Sequence, residues 1–586
     1  MKSLPDWARA AFVLLLFVAS VAFFTREAFP GGAEIHYHVI RRLGSTLLLG
    51  AGLMLAGRWE PVHIAYRRLA AVAMRVQAIA EWRFVWGAAL LFLAIALWLS
   101  WVLFHHLPHI TDSQSQYVGA KIFASGHLYL PSEPLRDFFG MQYMINDGRF
   151  LSIYPPGHIL LLAAGHLVHA PWLINPLLGA ATVVAIYYLA RELDDTATAR
   201  VAVVLALLSP FLRYMSSEYM NHATTLFMST LGVLCYIRAI RYKHLLAACV
   251  CGFSIGWALI TRPQAALPFA LPLALHGLWS LGRDWRGLRL PALACVAALA
   301  APLGFLAWYN YETMGDPLVM TYTVGSPNVE RITAILSKFA TTQGWQQGAI
   351  DIHRMLEQTN QLQEMLFEWP TYSLIFVALL FMFRASRPYA GLAMSCCLAL
   401  ALSLVVNPWI GEIFGPRYLY ETAGVLIALT ALGLRRTPAL LRRLTGWHAD
   451  PAVLRGALIV MLLVFTVMSI PMSQIATFRL YANHYYEGNY EYYDSIVKSV
   501  QKPALVFMRA AKLEGAAPED EWYYPEHRFV SFTLPVDNDA PVLFARDLRE
   551  RNPELLRQYS NRHAYIADGT GVYPLSGSAS SAASGR

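Results

Sequence analysis

The chain has 586 residues, of which 56% are hydrophobic and only 14% are charged. This composition lies outside the range of soluble globular proteins and is typical of chains that cross a membrane several times. The formal net charge is +8, but Lys and Arg are spread over short connections, which disfavours a nucleic-acid-binding surface. The 6 cysteines all lie in apolar runs without a CxxC spacing, so neither disulfide bonds nor a zinc site is predicted.

Apolar runs recur along most of the chain, with lengths suited to crossing a hydrocarbon core of about 30 Å as a helix. The first run follows Lys2 as a signal peptide would, but it has no small-residue cleavage site, so we interpret it as a retained helix. The pattern predicts about thirteen transmembrane helices. Their approximate bounds are 7–24, 44–57, 84–104, 172–190, 199–213, 222–237, 245–261, 263–281, 290–309, 370–383, 388–406, 418–434 and 456–475.

Basic residues predict the orientation of these spans. With the amino terminus in the cytoplasm, the Arg- and Lys-rich connections 58–83, 238–243, 283–289 and 435–443 all lie on the cytoplasmic side, as the positive-inside rule requires. The apolar piece 157–170 is short for a span and carries three histidines, so we place it flat on the outer interface. The polar segments then share the outer side: 105–155, 214–221, 310–369, 407–417 and the chain after residue 476.

The chain divides into four parts on this pattern. Residues 1–83 hold two transmembrane helices and a cytoplasmic connection, and residues 84–475 form a helical membrane module with the outer loop 105–155. Residues 476–574 are predicted to be a small extracytoplasmic α/β domain, in which "PALVFM", "RFVSFTL", "PVLFARDL" and "HAYIAD" are strands. Residues 575–586 are rich in Ser, Ala and Gly and are predicted to be disordered.

The stretch "HHLPHITDSQSQYVGAKIFASGHLYL" follows a span directly and brings a carboxylate, Asp112, to the membrane surface. Because Asp112 opens an amphipathic helix pattern, a helix N-cap is the alternative to a reactive carboxylate. The histidines His105, His106 and His109 suggest metal ligands, but Pro108 interrupts their helical spacing. Interfacial histidines are therefore favoured over a metal site.

Three further stretches place polar groups on the outer side. "RFLSIYPPGHILLL" sets Tyr154 in a rigid turn, which also suits the start of a helix. "RYMSSEYMNHATTLF" puts Glu218 and His222 at the outer start of a span, and "ALITRPQAALPF" puts Arg262 between two spans. Ionisable groups at such depths are costly unless they are paired or used, so function and structural pairing remain equal alternatives.

The stretch "NPWIGEIFGPRYLYETAGVLIAL" carries the most specific candidate. Arg417 directly precedes an outer-leaflet span, at the depth of a lipid phosphate, and guanidinium binds phosphate through paired, charge-assisted hydrogen bonds. Tyr418 follows it. The alternative is that Arg417 pairs with Glu412 or Glu421 and only holds the loop.

Taken in order, Asp112, "FASGHLY", "YPPGHILLLAAG", "SSEYMNHATTLF", "TRP" and "FGPRY" resemble the family 39 glycosyltransferases of the GT-C superfamily, relatives of protein mannosyltransferases and of the lipid A aminoarabinose transferase. The resemblance covers roughly residues 85–435. It implies a GT-C type membrane fold and transfer of a sugar from a polyprenyl-phosphate donor to a hydroxyl of a glycan, lipid or protein acceptor, on the outer face of the cytoplasmic membrane.

The resemblance also implies roles for individual residues. Asp112 matches the proposed catalytic base, and Arg417 with Tyr418 matches the "RY" motif expected at the donor phosphate. The candidate supporting residues are Glu218, His222, Arg262 and Tyr154. The family commonly follows its aspartate with Glu, whereas this chain has Ser113, so Glu218 is the candidate for the missing charge.

With one base in the site, the simplest mechanism is inversion at the anomeric carbon. The leaving phosphate is already an anion, so no cofactor is required, and a divalent cation is conceivable but without support in the sequence. The alternative function is a transporter or flippase of a lipid-linked sugar. Transfer is preferred because no inverted repeat is evident and the polar groups gather on one face of the membrane.

Overall fold

A computed structural model describes the chain over residues 35–132, 135–141, 143–324, 342–382, 388–405, 414–445, 450–484, 489–509, 540–568 and 570–575. Several predicted features lie outside these residues. They are the first span, the strand "RFVSFTL", Glu412 and residues 576–586 of the tail.

Seven helices of the described residues are long and apolar enough to cross a membrane. Each coincides with one of the predicted spans, so the protein is a mostly helical, multi-pass membrane protein. Their bounds are Glu81–Val102, Pro171–Leu193, His222–Tyr242, Pro263–Arg283, Trp285–Met314, Arg417–Leu440 and Pro451–Ala482.

Five other predicted spans correspond to shorter apolar helices. A crossing takes about 20 residues. Four of these helices fall below that length, and in the fifth, the 22-residue helix Ile35–Ala56, the apolar part Thr46–Ala56 does too, so all five remain predictions as spans. They are Thr46–Ala56 within the helix Ile35–Ala56, then Thr196–Leu208, Leu245–Leu259, Ile375–Met382 and Pro388–Ser403. The remaining helices are Glu60–Gln77, Thr111–Ala124, Pro156–Leu167, Pro210–Met215, Thr321–Val324, Thr342–Met365, Asn489–Ser499 and Asn552–Gln558.

One end of the helix bundle gathers basic connections that were predicted to share the cytoplasmic side. Arg200 joins the connection 58–83 to this end, because its guanidinium donates to the carbonyl oxygens of Val76 and Ile79. Ion pairs join the other connections: Arg238–Glu192 (2.8 Å), Arg435–Asp195 (2.8 Å), Arg436–Asp194 (2.5 Å) and Lys243–Asp284 (2.6 Å). The shared end agrees with the predicted topology, whereas its cytoplasmic orientation stays a prediction.

The opposite end of the bundle carries the helix Thr111–Ala124, which we call the Asp112 helix, and a small antiparallel sheet. The sheet has the order β1-β3-β2, with β1 at Leu130–Pro131, β2 at Met144–Asp147 and β3 at Arg149–Ser152. Strand β3 leads directly through Tyr154 into the next helix, so the chain returns to the Asp112 helix within a few residues.

The helix Pro156–Leu167 was predicted to lie flat on the outer interface. It is short, as expected, but His158 and Leu162 are buried inside the protein and the helix packs against the Asp112 helix. Gly157 permits this packing: its N–H donates to the carbonyl of Ile260 at 2.9 Å, and a Cβ there would lie 2.4 Å from the Thr261 hydroxyl. The helix therefore forms part of the protein core next to the Asp112 helix.

The C-terminal part contains a second sheet, with the order β5-β4-β6-β7. Its strands are β4 at Ala504–Met508, β5 at Val542–Arg546, β6 at His563–Asp568 and β7 at Gly571–Pro574. Strand β4 is parallel to β5 and β6, and β7 is antiparallel to β6. Three of the four predicted strands are thus confirmed, and the last long helix continues past the predicted domain boundary at 476, through His484.

Candidate active site

Asp112 lies in the first turn of its helix, but it does not cap it. The N-cap position is Ile110, and the Ser113 hydroxyl closes the helix start by accepting from the Ile110 N–H at 3.3 Å and donating to its carbonyl at 2.9 Å. The Asp112 carboxylate instead accepts a hydrogen bond of 2.6 Å from the Tyr154 hydroxyl. The N-cap interpretation is therefore wrong, because Ser113 satisfies the helix terminus and leaves the carboxylate available.

Tyr154 reaches Asp112 because the rigid Tyr-Pro-Pro turn directs the chain back toward the Asp112 helix. The ring of Tyr154 packs against those of Tyr143 and Tyr322, each with centroids 5.9 Å away. Burial and the neighbouring charge of Asp112 raise the pKa of Tyr154 well above its usual value. The hydroxyl therefore stays protonated and orients one carboxylate oxygen of Asp112.

Arg417 opens a 3₁₀ turn, Arg417–Thr422, at the start of the apolar helix that follows. Gly415 makes the preceding bend possible: its φ is 64°, and a Cβ there would lie 2.1 Å from the Met365 sulfur. The Arg417 Nη1 lies 3.8 Å from Asp112 Oδ2, so guanidinium and carboxylate face each other without a close hydrogen bond. Within the described residues the buried Nε and Nη1 of Arg417 have no hydrogen-bond partner.

Tyr418 lies between two guanidinium groups. The central carbon of Arg417 is 5.4 Å from its ring centroid, and that of Arg262 is 5.5 Å away. Both distances fall in the range of cation–π attraction. The sequence predicted that Tyr418, with Arg417, binds the donor phosphate. In the structure the Tyr418 ring lies within cation–π distance of both arginines.

Behind Tyr418, a buried triad joins Arg262, His222 and Glu421. Arg262 Nε lies 2.9 Å from Glu421 Oε1, and His222 Nδ1 lies 3.1 Å from the same oxygen. The Nη1 of Arg262 lies 2.9 Å from His222 Nε2 and also donates to Asn221. Because a guanidinium only donates, Nε2 must be the acceptor, so His222 is neutral and its Nδ1–H donates to Glu421.

Glu421 entered the sequence analysis only as an alternative partner for Arg417. The structure pairs it with Arg262 and His222 instead. A signal for it was present, since a lone carboxylate four residues into an apolar span requires a partner. The sequence could not identify that partner, because Arg262 precedes Glu421 by 159 residues in the chain.

Glu218 binds the backbone next to Asp112. Its Oε2 accepts from the Met220 N–H at 2.7 Å, and its Oε1 accepts from the His109 N–H at 3.4 Å. Burial raises the pKa of Glu218 to about 7. Glu218 therefore holds the segment that precedes the Asp112 helix, and its oxygens are occupied by backbone groups.

Two of the three histidines before Asp112 pack against aromatic rings. The ring of His106 stacks on Trp172 with centroids 4.3 Å apart, and His109 meets Phe104 edge to face at 4.5 Å. Among the residues that the structure describes, no group of three or more His, Cys, Asp or Glu side chains could hold a metal ion.

Residues 158–308 match the family described as dolichyl-phosphate-mannose-protein mannosyltransferase. The match confirms, over this part of the chain, the resemblance to GT-C glycosyltransferases. It contains Glu218, His222 and Arg262, whereas Asp112, Tyr154 and Arg417 lie outside it. No curated protein matches the chain by sequence.

The solved structures that are similar to the chain include the following three. The archaeal oligosaccharyltransferase AglB from Archaeoglobus fulgidus, in complex with an inhibitory peptide and a dolichol-phosphate, has 12% identity and a TM-score of 0.46 over 84% of this chain and 69% of that one. ArnT from Cupriavidus metallidurans, bound to undecaprenyl phosphate, has 14% identity and 0.41 over 82% and 93%. Arabinosyltransferase EmbB from Mycobacterium smegmatis has 13% identity and 0.39 over 83% and 50%. All three TM-scores lie below 0.5.

Proposed function

We propose that the chain is a GT-C type glycosyltransferase that transfers a sugar from a polyprenyl-phosphate donor to an acceptor hydroxyl. The observation that carries the proposal is the approach of Arg417 to Asp112, at 3.8 Å. A carboxylate oriented by Tyr154 and a guanidinium with unused donors share one site. The first suits acceptance of a proton and the second suits binding of a phosphate, and the family match over residues 158–308 supports the same class of reaction.

Asp112 is the proposed base. The acceptor oxygen bonds to the anomeric carbon, its proton passes to the carboxylate, and the bond from that carbon to the phosphate oxygen breaks, so that the polyprenyl phosphate leaves with the electron pair. The Asp112 side chain keeps 20% of its surface exposed, which leaves it accessible to an acceptor. Retention would need a second free carboxylate about 5 Å away. Glu218 and Glu421 are both engaged elsewhere, which supports inversion.

Arg417 is the proposed ligand of the leaving phosphate. Before the reaction its positive charge is shared with Asp112. When Asp112 takes the proton, that competition ends, and the phosphate gains a negative charge in the same step. The guanidinium is thus most available to the phosphate in the transition state and after it, which is where stabilisation accelerates the reaction. Tyr418 and the Arg262 triad would hold this arrangement, and neither a cofactor nor a metal is needed for it.

The proposed location is the outer face of the cytoplasmic membrane, within the module 84–475. Tryptophans are exposed at both ends of the span Glu81–Val102, namely Trp82 and Trp86 at one end and Trp98 and Trp101 at the other. Tryptophan favours the two membrane–water interfaces. The second pair lies just before Asp112, which supports a site at an interface, opposite the basic end. The part after the last span would then be extracytoplasmic.

The test is mass spectrometry of lipid-linked sugars and envelope glycans in a deletion strain. The proposal expects a polyprenyl-phosphate sugar to accumulate and one glycan, lipid or protein to lose that sugar. The wild-type chain should reverse both changes, and Asp112→Asn should reverse neither. Restoration of the glycan by Asp112→Asn, at equal expression, would contradict the proposed mechanism.

A further inference from the structure

The Gln116 side chain is buried without a hydrogen bond. It retains 1% of its surface exposure, and among the described residues both its amide nitrogen and its amide oxygen have no partner. A buried carboxamide loses its hydrogen bonds to water, so leaving it unpaired destabilises the folded protein. Native proteins keep few such groups, and those they keep require an explanation.

Gln116 lies one helical turn after Asp112. Residues four apart share a face of a helix, and a rise of 1.5 Å per residue separates them by about 6 Å along the axis. Ala120 continues the same side and packs in one cluster with Tyr154 and Tyr219. Because Tyr154 also binds Asp112, the side of the helix that holds Gln116 is the side of the proposed site.

Gln116 is one of several buried groups near Asp112 with unused hydrogen-bonding atoms. Among the described residues, Nε and Nη1 of Arg417 and Nη2 of Arg262 are also buried without a partner. Those nitrogens only donate and suit an anion, whereas a carboxamide both donates and accepts. A hydroxyl group has the same pair of capacities. The two arginines therefore suit a phosphate, whereas Gln116 suits an alcohol.

We infer that the Gln116 carboxamide binds a hydroxyl group of a substrate beside the reacting carbon. The inference rests on the proposed function, which brings two hydroxyl-bearing groups to this site: the sugar of the donor and the acceptor. Binding either one would satisfy the amide, which has no partner among the described residues. Gln116 thereby contributes to the choice of substrate, since an analogue without that hydroxyl leaves the amide unpaired again.

Full-length protein with Gln116→Leu tests this inference, with Gln114→Leu as the matched control. Gln114 is almost as buried, at 2%, and lies on another side of the same helix. Gln116→Leu should leave the thermal midpoint in detergent unchanged or raise it, and Gln114→Leu should leave transfer near the wild-type level. Transfer by Gln116→Leu in the complemented deletion strain should fall by about 10- to 100-fold, the loss of one buried polar contact or more.

A lowered midpoint for Gln116→Leu, or its failure to fold, would overturn the inference, because the amide would then be satisfied within the protein. Unchanged transfer would overturn it as well. The wild-type arm separates this result from the proposed function: if wild type restores no glycan, the function itself fails, whatever Gln116 does.

A binding experiment decides whether this hydroxyl belongs to the donor sugar or to the acceptor. The intact probe is the lipid-linked sugar that the deletion strain accumulates, and the treated probe is the same lipid after mild acid has removed its sugar. The intact probe should raise the thermal midpoint of the wild-type protein more than the treated probe does. If Gln116 binds the donor sugar, Gln116→Leu loses that difference. If it binds the acceptor, the variant keeps the difference and still fails in transfer.

Discussion

Phe507 of strand β4 packs against Phe138 of the 3₁₀ turn Arg136–Phe139, which follows strand β1, with ring centroids 6.2 Å apart and planes at 64°. The two rings lie in one buried core with Val118 and Ile122 of the Asp112 helix. At the edge of the contact Arg551 forms an ion pair with Asp137 at 2.8 Å. The C-terminal sheet, which the sequence suggested as a separate domain, therefore supports the helix that carries the proposed base.

Phe507→Ala should loosen the Asp112 helix and reduce transfer. Removing a buried phenylalanine costs about 3–5 kcal/mol, and here the lost contacts include those with the helix. Hydrogen exchange in residues 111–124 should rise together with the loss of activity.

Phe544→Ala is the matched control, since Phe544 is fully buried in the neighbouring strand but packs against Tyr493 on the other side of the sheet, at 5.5 Å. It should destabilise the sheet with less effect on the Asp112 helix. Equal exchange and equal loss of transfer in the two variants would show that the sheet acts only through its overall stability.

The sequence predicted the long spans well because 18 or more apolar residues have few other stable environments. It could not settle the helices of 8 to 16 residues, such as Ile375–Met382 and Pro388–Ser403. A buried helix and a short span have the same apolar composition. Whether such a helix crosses the membrane or lies buried inside the protein depends on the helices that pack around it.

The order of motifs pointed to Asp112, Tyr154 and Arg417, and the structure brings these residues together. The order of motifs could not show which of these residues contact each other, because a sequence does not give the distance between residues that are far apart in the chain. The N-cap interpretation of Asp112 failed for a local reason: Ser113, one position later, meets the same need of the helix terminus. Gln116 had no signal at all, since a glutamine on an amphipathic helix is normally exposed.

Arg417→Ala should not be rescued by Glu421→Gln. The sequence left open a structural pair between these residues, but Glu421 contacts Arg262 and His222. Arg417→Ala should cost about 2–5 kcal/mol in transition-state stabilisation, and Arg417→Lys should cost less. Recovery of transfer in the Arg417→Ala, Glu421→Gln double variant would contradict the donor-phosphate role.

Glu421 and Arg262 should instead couple to each other. Removing one partner of a buried ion pair leaves the other charge uncompensated, at about 3–5 kcal/mol. Replacing both residues by methionine should lower the free energy of unfolding by clearly less than the sum of the two single replacements. The exposed pair of Arg191 and Glu81, with 45% and 34% of their side chains accessible, serves as control and should couple by less than about 1 kcal/mol. Additive losses of stability at Arg262 and Glu421 would contradict an energetic coupling between the two residues.

Single cysteines should report the predicted topology. Ser125 near the end of the Asp112 helix and Ser560 in the C-terminal part are both exposed, and Ala78 is exposed at the basic end. In a background without the 6 native cysteines, Ser125→Cys and Ser560→Cys should react with a membrane-impermeant maleimide in cells with a permeabilised outer barrier. Ala78→Cys should react only after lysis. Labelling of Ser125→Cys without Ser560→Cys would break the predicted arrangement of spans.

Glu218 should make stability depend on pH. Its pKa is about 7 in the folded protein because of burial, against an ordinary value of 4.5. Between these values the folded state binds the extra proton, so stability is greatest below about 4.5, falls as the pH rises to about 7 and is level above it. The difference corresponds to roughly 3 kcal/mol.

In Glu218→Gln the fall between pH 4.5 and 7 should disappear, because the amide does not titrate. Thermal midpoints of the purified protein across this range measure it, and Glu550→Gln, at an exposed position, controls for the loss of a charge alone. A slope that persists unchanged in Glu218→Gln would assign the titration to another group.

Asp112→Asn should abolish transfer and leave the fold intact. The amide oxygen still accepts from Tyr154, and Ser113 still closes the helix, so the thermal midpoint should change little. The amide cannot take the acceptor proton, and loss of a general base lowers the rate by about 10²- to 10⁴-fold. Tyr154→Phe should have a smaller effect, on the order of 10-fold, because it removes only the hydrogen bond that orients the carboxylate. Tyr309→Phe, which alters a buried ring packed on Phe123 at the far end of the same helix, should leave the rate unchanged. Equal losses in the two tyrosine variants would mean that Tyr154 acts through packing, and near-normal turnover in Asp112→Asn would remove the carboxylate from the reaction.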